Sequence, residues 1–448
     1  MAVTRRAIDG RFALMFAVML TIAAANTALQ SVLPALGRLL GVADRAVAVA
    51  FSVSGLLWVI AAPWWANRSD RHGRRAMILT GVAGLVTSLT ICGAFLAAGI
   101  NGWIAGGTAF GCFVVGRMIY GGIGAAAPPA VQALVAGETT PEERTRALTL
   151  LASAFGLGTI LGPAAAPYLR LGHVGGIEIG LAGPAFVFAA IGAGVWLAVR
   201  LILPDDRPHP GEARPTRGKG AKTAYPSIGG APTGASVAAA TRPHVEQVGY
   251  LDKRVRGWML AGLVTGHAQV MASQAIGFLV IDRLHVAPAA ALEPTGIVLM
   301  MGAGASLLVQ WGIIPLLDLK PRQLMLVGLA VAAAGSALTG LGTSLYAIAT
   351  AYGLASIGFG FTRPGFTAGA SLAVGDTAQG SVAGKVTSVN GACYVLGPSI
   401  GIGLYGVSHA LPYLVAGGAC LVMIGHAALA LRAPPPPPAA DAWADPEV

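Results

Sequence analysis

Apolar runs of about 20 residues, separated by short charged or turn-forming stretches, repeat along the whole chain. Coiled as an α-helix, a run of that length crosses roughly 30 Å of hydrocarbon. The pattern predicts spans at residues 12–34, 46–66, 76–98, 104–127, 147–168 and 183–203, and a second set at 257–281, 295–317, 323–342, 345–370, 383–407 and 411–431. The first run follows Arg5, Arg6 and Arg11 and ends near Ala23-Ala24-Ala25, which has the outline of a signal peptide. Its about 23 apolar residues exceed the usual apolar core of such a peptide, so it reads as a retained helix. The fold class is therefore an all-α membrane protein of twelve transmembrane helices. Composition agrees: of 448 residues 55% are hydrophobic and 11% charged, and the mean hydropathy is +0.70.

The pattern breaks once. Residues 204–250 are rich in Pro, Gly, Ala and basic side chains and cannot bury a core. The expected organisation is an N-terminal bundle at 1–203, a cytoplasmic linker at 204–256, a C-terminal bundle at 257–432 and a disordered Pro-rich tail at 433–448.

Charge then fixes orientation. With the N-terminus in the cytoplasm, the opposite face carries Arg38, Arg45, Arg170 and Arg283, and Arg117 and Arg363 are embedded. The other 23 of the 29 Lys and Arg residues fall on the cytoplasmic side, as the positive-inside rule requires. Both termini are expected in the cytoplasm of a cell with this protein in its inner membrane. The net charge of +10 is accounted for by topology and anionic headgroups, which leaves no role for nucleic acid. Cys92, Cys112, Cys393 and Cys420 all lie inside spans without disulfide or zinc spacing and read as small packing residues.

The two sets of six share a weak repeat. LVAGETTPEERTRALT (134–149) resembles LAVGDTAQGSVAGKVT (372–387), Gly156 and Gly162-Pro163 recur as Gly391 and Gly397-Pro398, and Asp70 and Arg74 match Asp318 and Arg322. Two pseudo-symmetric six-helix bundles are implied.

Several stretches resemble the major facilitator superfamily. ANRSDRHGRR (66–75) is similar to its loop between helices 2 and 3, with Asp70, Arg71, Gly73, Arg74 and Arg75 matching and Ala66 and Arg68 departing from the pattern. RMIYGGIGAA (117–126) resembles its helix 4 motif, with Tyr120 where glutamine is usual. GTILGPAAA (158–166) resembles the helix 5 motif of the drug:proton antiporter branch, with Ala165 and Ala166 where glycines are usual, and PEERTRA (141–147) fits the loop between helices 4 and 5. The resemblance covers nearly the whole chain. It implies alternating access, a part in coupling for Arg117, and export of a small organic molecule driven by protons.

The residues carry a logic of their own. Gly158 and Gly162 stand one turn apart and let another helix approach closely, and Pro163 removes a backbone donor; Gly397 and Pro398 repeat the device. The expectation is a gating role, against plain small-residue packing. A turn at Gly73, flanked by Asp70 and the arginines, reads as a charged hinge. In the family architecture Asp70 would face the start of helix 11 and bias the outward-facing state; the arginines also serve topology.

Embedded ionisable groups are functional candidates by default. They are Arg117, Arg363 and His267; the acids, including Asp282, map to loops or helix ends. His267 could titrate for coupling or bond within the bundle. Arg363 could meet the negative group of a substrate, or bond carbonyls beside Pro364. Asn26, Gln30, Gln269, Gln274, Asn390 and Tyr394 could line a cavity or act as interhelical glue. Trp58, Trp64 and Trp65 read as interfacial anchors. The expected partners are a small-molecule substrate, protons and the lipid bilayer, with no cofactor and no metal, in a monomer. An importer of organic anions is the alternative within transport. An integral-membrane enzyme would need clustered His, Asp or Glu, and the eight histidines are scattered.

Overall fold

A computed structural model describes residues 2–139, 141–206, 247–317, 319–375 and 378–431, with the side chains of 2–9, 67, 70–71, 141–146, 149 and 379–380 left undescribed. Twelve membrane helices follow in order. The first three are α1 (Ala2–Leu39), α2 (Asp44–His72) and α3 (Arg74–Ile100). Next comes α4, formed by Gly106–Gly122, a 3-10 turn at Gly124–Ala126 and a continuation at Ala127–Glu138. Pro128 and Pro129 supply no backbone donor at the start of that continuation, which interrupts the α ladder there. α5 (Pro141–Ala165) and α6 (Gly183–Ile202) complete the first half.

The second half holds α7 (Arg256–Leu284), then α8, which runs Leu292–Leu308, widens through a π-turn at Val309–Ile313 and ends at Ile314–Leu317. α9 (Pro321–Leu341), α10 (Leu345–Leu372), α11 (Gln379–Tyr405) and α12 (Leu411–Ala430) follow. Among the described residues eleven of these helices are long and apolar enough to cross a membrane unaided; α11 is the exception. It carries Lys385, Asn390 and Tyr394 and packs on both α7 and α2, so a polar face costs it little exposure to lipid.

Pairings in the first half recur in the second. α1 lies on α5 as α7 lies on α11; α3 packs on α4 and α6 as α9 packs on α10 and α12; α2–α4 is matched by α8–α10. The halves meet chiefly through α2–α11 and α5–α8, with α1 also touching α7 and α8; the two main contacts exchange under the same pseudo-symmetry. The all-α expectation holds, with one small strand pair added among the described residues. Between α5 and α6 a hairpin pairs β1 (Leu171–Val174) with β2 (Ile177–Gly180), closed by Gly175 and Gly176 at φ 58° and 85°. Two successive positive φ values match a type I′ turn, which glycine adopts without strain. The Asn101 side chain pins this hairpin by donating to the Glu178 carbonyl at 2.8 Å and accepting from its amide at 3.0 Å.

Most of the central linker and the whole tail at 433–448 lie outside the described residues. At the linker's end, Val248 is buried and its amide donates to Ser381 Oγ at 3.0 Å, which ties that segment to α11.

Candidate functional site

We call the membrane face bearing the start of α1 the linker face and the opposite one the far face. Between them, each half holds one cluster of polar side chains. In the first half Arg117 on α4 is 3% exposed and donates to Asn26 Oδ1 on α1 at 2.8 Å. Its guanidinium stands 4.7 Å from the Tyr120 ring centre, and the Trp58 ring from α2 lies 5.2 Å from that same ring. An arginine at mid-membrane costs at least about 2.5–3.5 kcal/mol; a charge-assisted bond of about 1.5–3 kcal/mol and a cation–π contact offset it. Two donors in this cluster, Arg117 Nε and Trp58 Nε1, have no acceptor among the described residues. Trp58 is 5% exposed, which corrects its reading as an interfacial anchor. Trp64, exposed beneath Arg68, fits that reading better, while Trp65 donates to the Gly122 carbonyl at 2.6 Å.

The second cluster surrounds a cavity of about 20 Å³ lined by Thr265, Gln269, Arg363, Asn390, Cys393 and Tyr394 among others, which is room for one water molecule. Three helices supply these groups: α7, α10 and α11. Four residues singled out for substrate contact, Gln269, Arg363, Asn390 and Tyr394, thus converge. Gln30 and Gln274 are half-buried outside both clusters. His267 spends one ring nitrogen on the Leu263 carbonyl, four residues back, at 2.8 Å.

Close helix contacts seat these clusters. A Cβ on Gly158 would lie 2.5 Å from the Leu20 carbonyl oxygen, and one on Gly162 would collide with Thr27 Oγ1 and the Ala24 carbonyl, so α5 rests flush on α1. Pro163 lies in the last turns of α5. In the second half a Cβ on Gly397, just before Pro398, would lie 2.7 Å from Val270 Cγ1 of α7. Where α5 places Gly158 against α1, α11 places Cys393, and the room for it comes from Gly266 of α7, whose Cβ would lie 2.6 Å from Cys393 Sγ. These glycines pack helices within a half. Across the halves the close approaches include Gly55 to the Tyr394 carbonyl and Gly391 to Val59 on the α2–α11 seam, Gly156 to Leu307 and Gly296 to the Pro163 carbonyl between α5 and α8, and Gly277 of α7 to Pro34 of α1.

At the linker face the charged hinge is built around Gly73, whose φ of 88° suits glycine. Asp206, just after α6, caps α3 by accepting from the Arg74 and Arg75 amides at 2.7 and 3.0 Å. The Arg75 side chain donates to the Arg200 carbonyl at the end of α6 at 2.6 Å. Both arginines therefore brace the first half. The side chains of Asp70 and Arg71, and with them the contact expected at the start of helix 11, lie outside the described residues. Arg322 repeats the brace in the second half, donating to the Ala427 and Ala428 carbonyls at the end of α12 at 3.4 and 2.8 Å. It is the second residue of α9 as Arg75 is of α3, so the structural repeat runs one residue off the sequence match to Arg74.

The far face holds a network that sequence reasoning misses. Arg38, ending α1, holds Asp44 at the start of α2 at 2.9 Å and reaches across the halves to both carboxylate oxygens of Asp282 on α7, one at 2.8 Å. Tyr405, ending α11, donates to Asp282 at 2.5 Å. His409 stacks on Tyr405 at 4.9 Å with Nε2 3.6 Å from Asp282. Ser52 and Ser399 add a bond at 2.9 Å on the same seam. The signal in the sequence is scarcity: few charges occupy this face, and Asp44 and Asp282 are the acids nearest its arginines.

Comparison with known proteins agrees with this architecture. The family model of the Major Facilitator Superfamily matches residues 14–398. The solved human organic anion transporter MFSD10 (TETRAN) shares the fold at a TM-score of 0.62 and 18% identity, covering 93% of this chain and 98% of that one. A solved mutant of the nucleoside transporter NupG does so at 0.61 and 11%, with the same coverage. A multi-drug resistance efflux pump PmrA homolog of Lactococcus lactis subsp. lactis (strain IL1403) is 29% identical over 155 residues, 35% of this chain and 33% of that protein, so the match spans a third of the relative's length. With twelve helices in two matched halves and a family match over most of its length, the chain belongs to the Major Facilitator Superfamily.

Proposed function

We propose that the protein exports a small organic molecule by alternating access, driven by proton re-entry, as a monomer in the inner membrane with its termini and residues 204–256 in the cytoplasm. The observation that carries the reading is the placement of two polar clusters on either side of the α2–α11 seam, with the halves bonded to each other at the far face through Arg38 and Asp282. A site between the halves and a lock at one face are the parts that alternating access needs. The helix 5 stretch at 158–166 and the name of the Lactococcus relative support export. Uptake of an organic anion is the second reading, supported by the two embedded guanidiniums of Arg117 and Arg363.

Purified protein in liposomes tests the reading. Substrate flux that rises with an imposed pH gradient and collapses with a protonophore is the expected result; flux indifferent to the gradient refutes proton coupling. Topology is tested with single cysteines at Leu251 and Val174, both exposed, in a chain lacking the native four. An impermeant thiol reagent outside intact spheroplasts should label Val174→Cys. Labelling of Leu251→Cys instead reverses the orientation.

A further inference from the structure

Helices that carry members of the two clusters, α2 and α11, pack directly on each other. On α2, Gly55 lies three residues before Trp58, and a Cβ there would sit 3.1 Å from the Tyr394 carbonyl oxygen on α11. Val59, next to Trp58, touches Gly391, next to Asn390: a Cβ on that glycine would be 2.7 Å from Val59 Cγ2. Arg117 and Trp58 thus stand behind one wall of the α2–α11 seam, and Asn390, Tyr394 and Arg363 behind the other.

We infer that this seam receives an oxyanion of the transported molecule, a carboxylate, sulfonate or phosphate, which Arg117 and the Trp58 indole N–H hold from the first half while Arg363 faces it from the second. The inference rests on the transporter reading but not on the direction of transport.

The donor set argues for the charge of the ligand. Arg117 and Trp58 are each more than nine-tenths buried, and each keeps one N–H without an acceptor among the described residues. They flank the same Tyr120 ring, so the unmet donors lie in one cluster. Asn26 is neutral: it takes a hydrogen bond from Arg117 and leaves the positive charge in place. No carboxylate among the described residues pairs with Arg117. A neutral carbonyl would satisfy a donor without balancing the charge, and a cationic ligand would be repelled by Arg117. An oxyanion meets both needs, and Arg117's planar fork suits two of its oxygens. Val59 and Phe366 add apolar surface, which fits an organic anion with a hydrophobic body. The seam is shut where Gly55 meets Tyr394, so α2 and α11 must part for the ligand to enter. Alternating access supplies that parting.

The test uses the purified full chain with benzenesulfonate as probe and neutral benzenesulfonamide as its match. Ligands of the folded state raise the unfolding midpoint by mass action. Benzenesulfonate should raise it in a concentration-dependent way and benzenesulfonamide should not. Trp58→Phe keeps the ring beside Tyr120 and removes the donor; the apparent affinity should fall about tenfold, the loss expected of a hydrogen bond to a charged group. Arg117→Lys keeps the charge and loses the fork, and should weaken binding by a similar factor. General stabilisation by salt would persist undiminished in both variants. That outcome, an equal shift with the sulfonamide, or no shift in the wild type at millimolar probe overturns the inference. Flux in liposomes separates it from the reading beneath it. Movement of a neutral compound without benzenesulfonate binding keeps the transporter and removes this site; binding without flux of any compound keeps the site and removes the transport cycle.

Discussion

The two halves of the chain agree where they brace themselves and differ where they face each other. Arg75 and Arg322 each sit one residue into a helix and donate to the carbonyl end of the last helix of their half, where the helix dipole favours a cation. The embedded arginines do not correspond. Arg117 lies in the first half of α4 and pairs with α1, whereas Arg363 lies in the second half of α10 and lines a cavity with α7 and α11. Duplicated chains retain what any six-helix bundle needs, and the remainder is free to specialise towards cargo.

The comparison breaks most visibly at the helix contacts. Gly162→Ala would drive a Cβ into the Thr27 hydroxyl and the Ala24 backbone, and overpacking against backbone should cost about 3 kcal/mol. Gly397→Ala meets Val270 at Cγ1 and Cβ with the nearest backbone atom at 3.8 Å and should cost less, about 2 kcal/mol. Unfolding midpoints of the two variants in one detergent decide this; equal losses would make the halves alike here. Asp282→Asn weakens the far-face network while keeping its shape. Its side chain is 21% exposed and that of Arg38 is 22%, so a loss of about 2 kcal/mol is expected, below that of a fully buried pair. Spin labels on the far ends of α1 and α7 should report a more open population, and an unchanged distance distribution removes the lock. The smallest effects test the recurrence itself. Arg75→Gln and Arg322→Gln should each cost about 0.5–1 kcal/mol, equally within error of denaturation; a loss in one half alone would end the symmetry of the braces.

How much of this is legible in the sequence follows from what each signal depends on. Hydropathy runs locate the helices because lipid imposes length and composition on each one separately. Helix α11 is also visible as a span, and its polar residues anticipate the cavity that Asn390 and Tyr394 line with Gln269 and Arg363. Gly73 announces its turn because the constraint is local. Asp206 capping α3, and Asp282 meeting Arg38, join residues distant in sequence, and no period records such pairs. Trp58 misleads because a tryptophan inside an apolar run does not say which way its face turns. The hairpin escapes for a different reason: Gly175-Gly176 between His173-Val174 and Ile177-Glu178 is a turn signal, submerged among helical runs.

Cys393 against Gly266, where the first half has Gly158 against Ala23, has an evolutionary consequence. Each half puts one glycine and one small side chain at this contact, but the glycine sits on opposite helices. Moving from one division to the other by single substitutions passes through either a clash or a hole, each destabilising. The exchange therefore leaves a pair of coupled positions, so that Gly158→Cys should lose less stability when Ala23→Gly accompanies it than when made alone, and the order in which such changes accumulate is constrained by what the bilayer-embedded fold can survive.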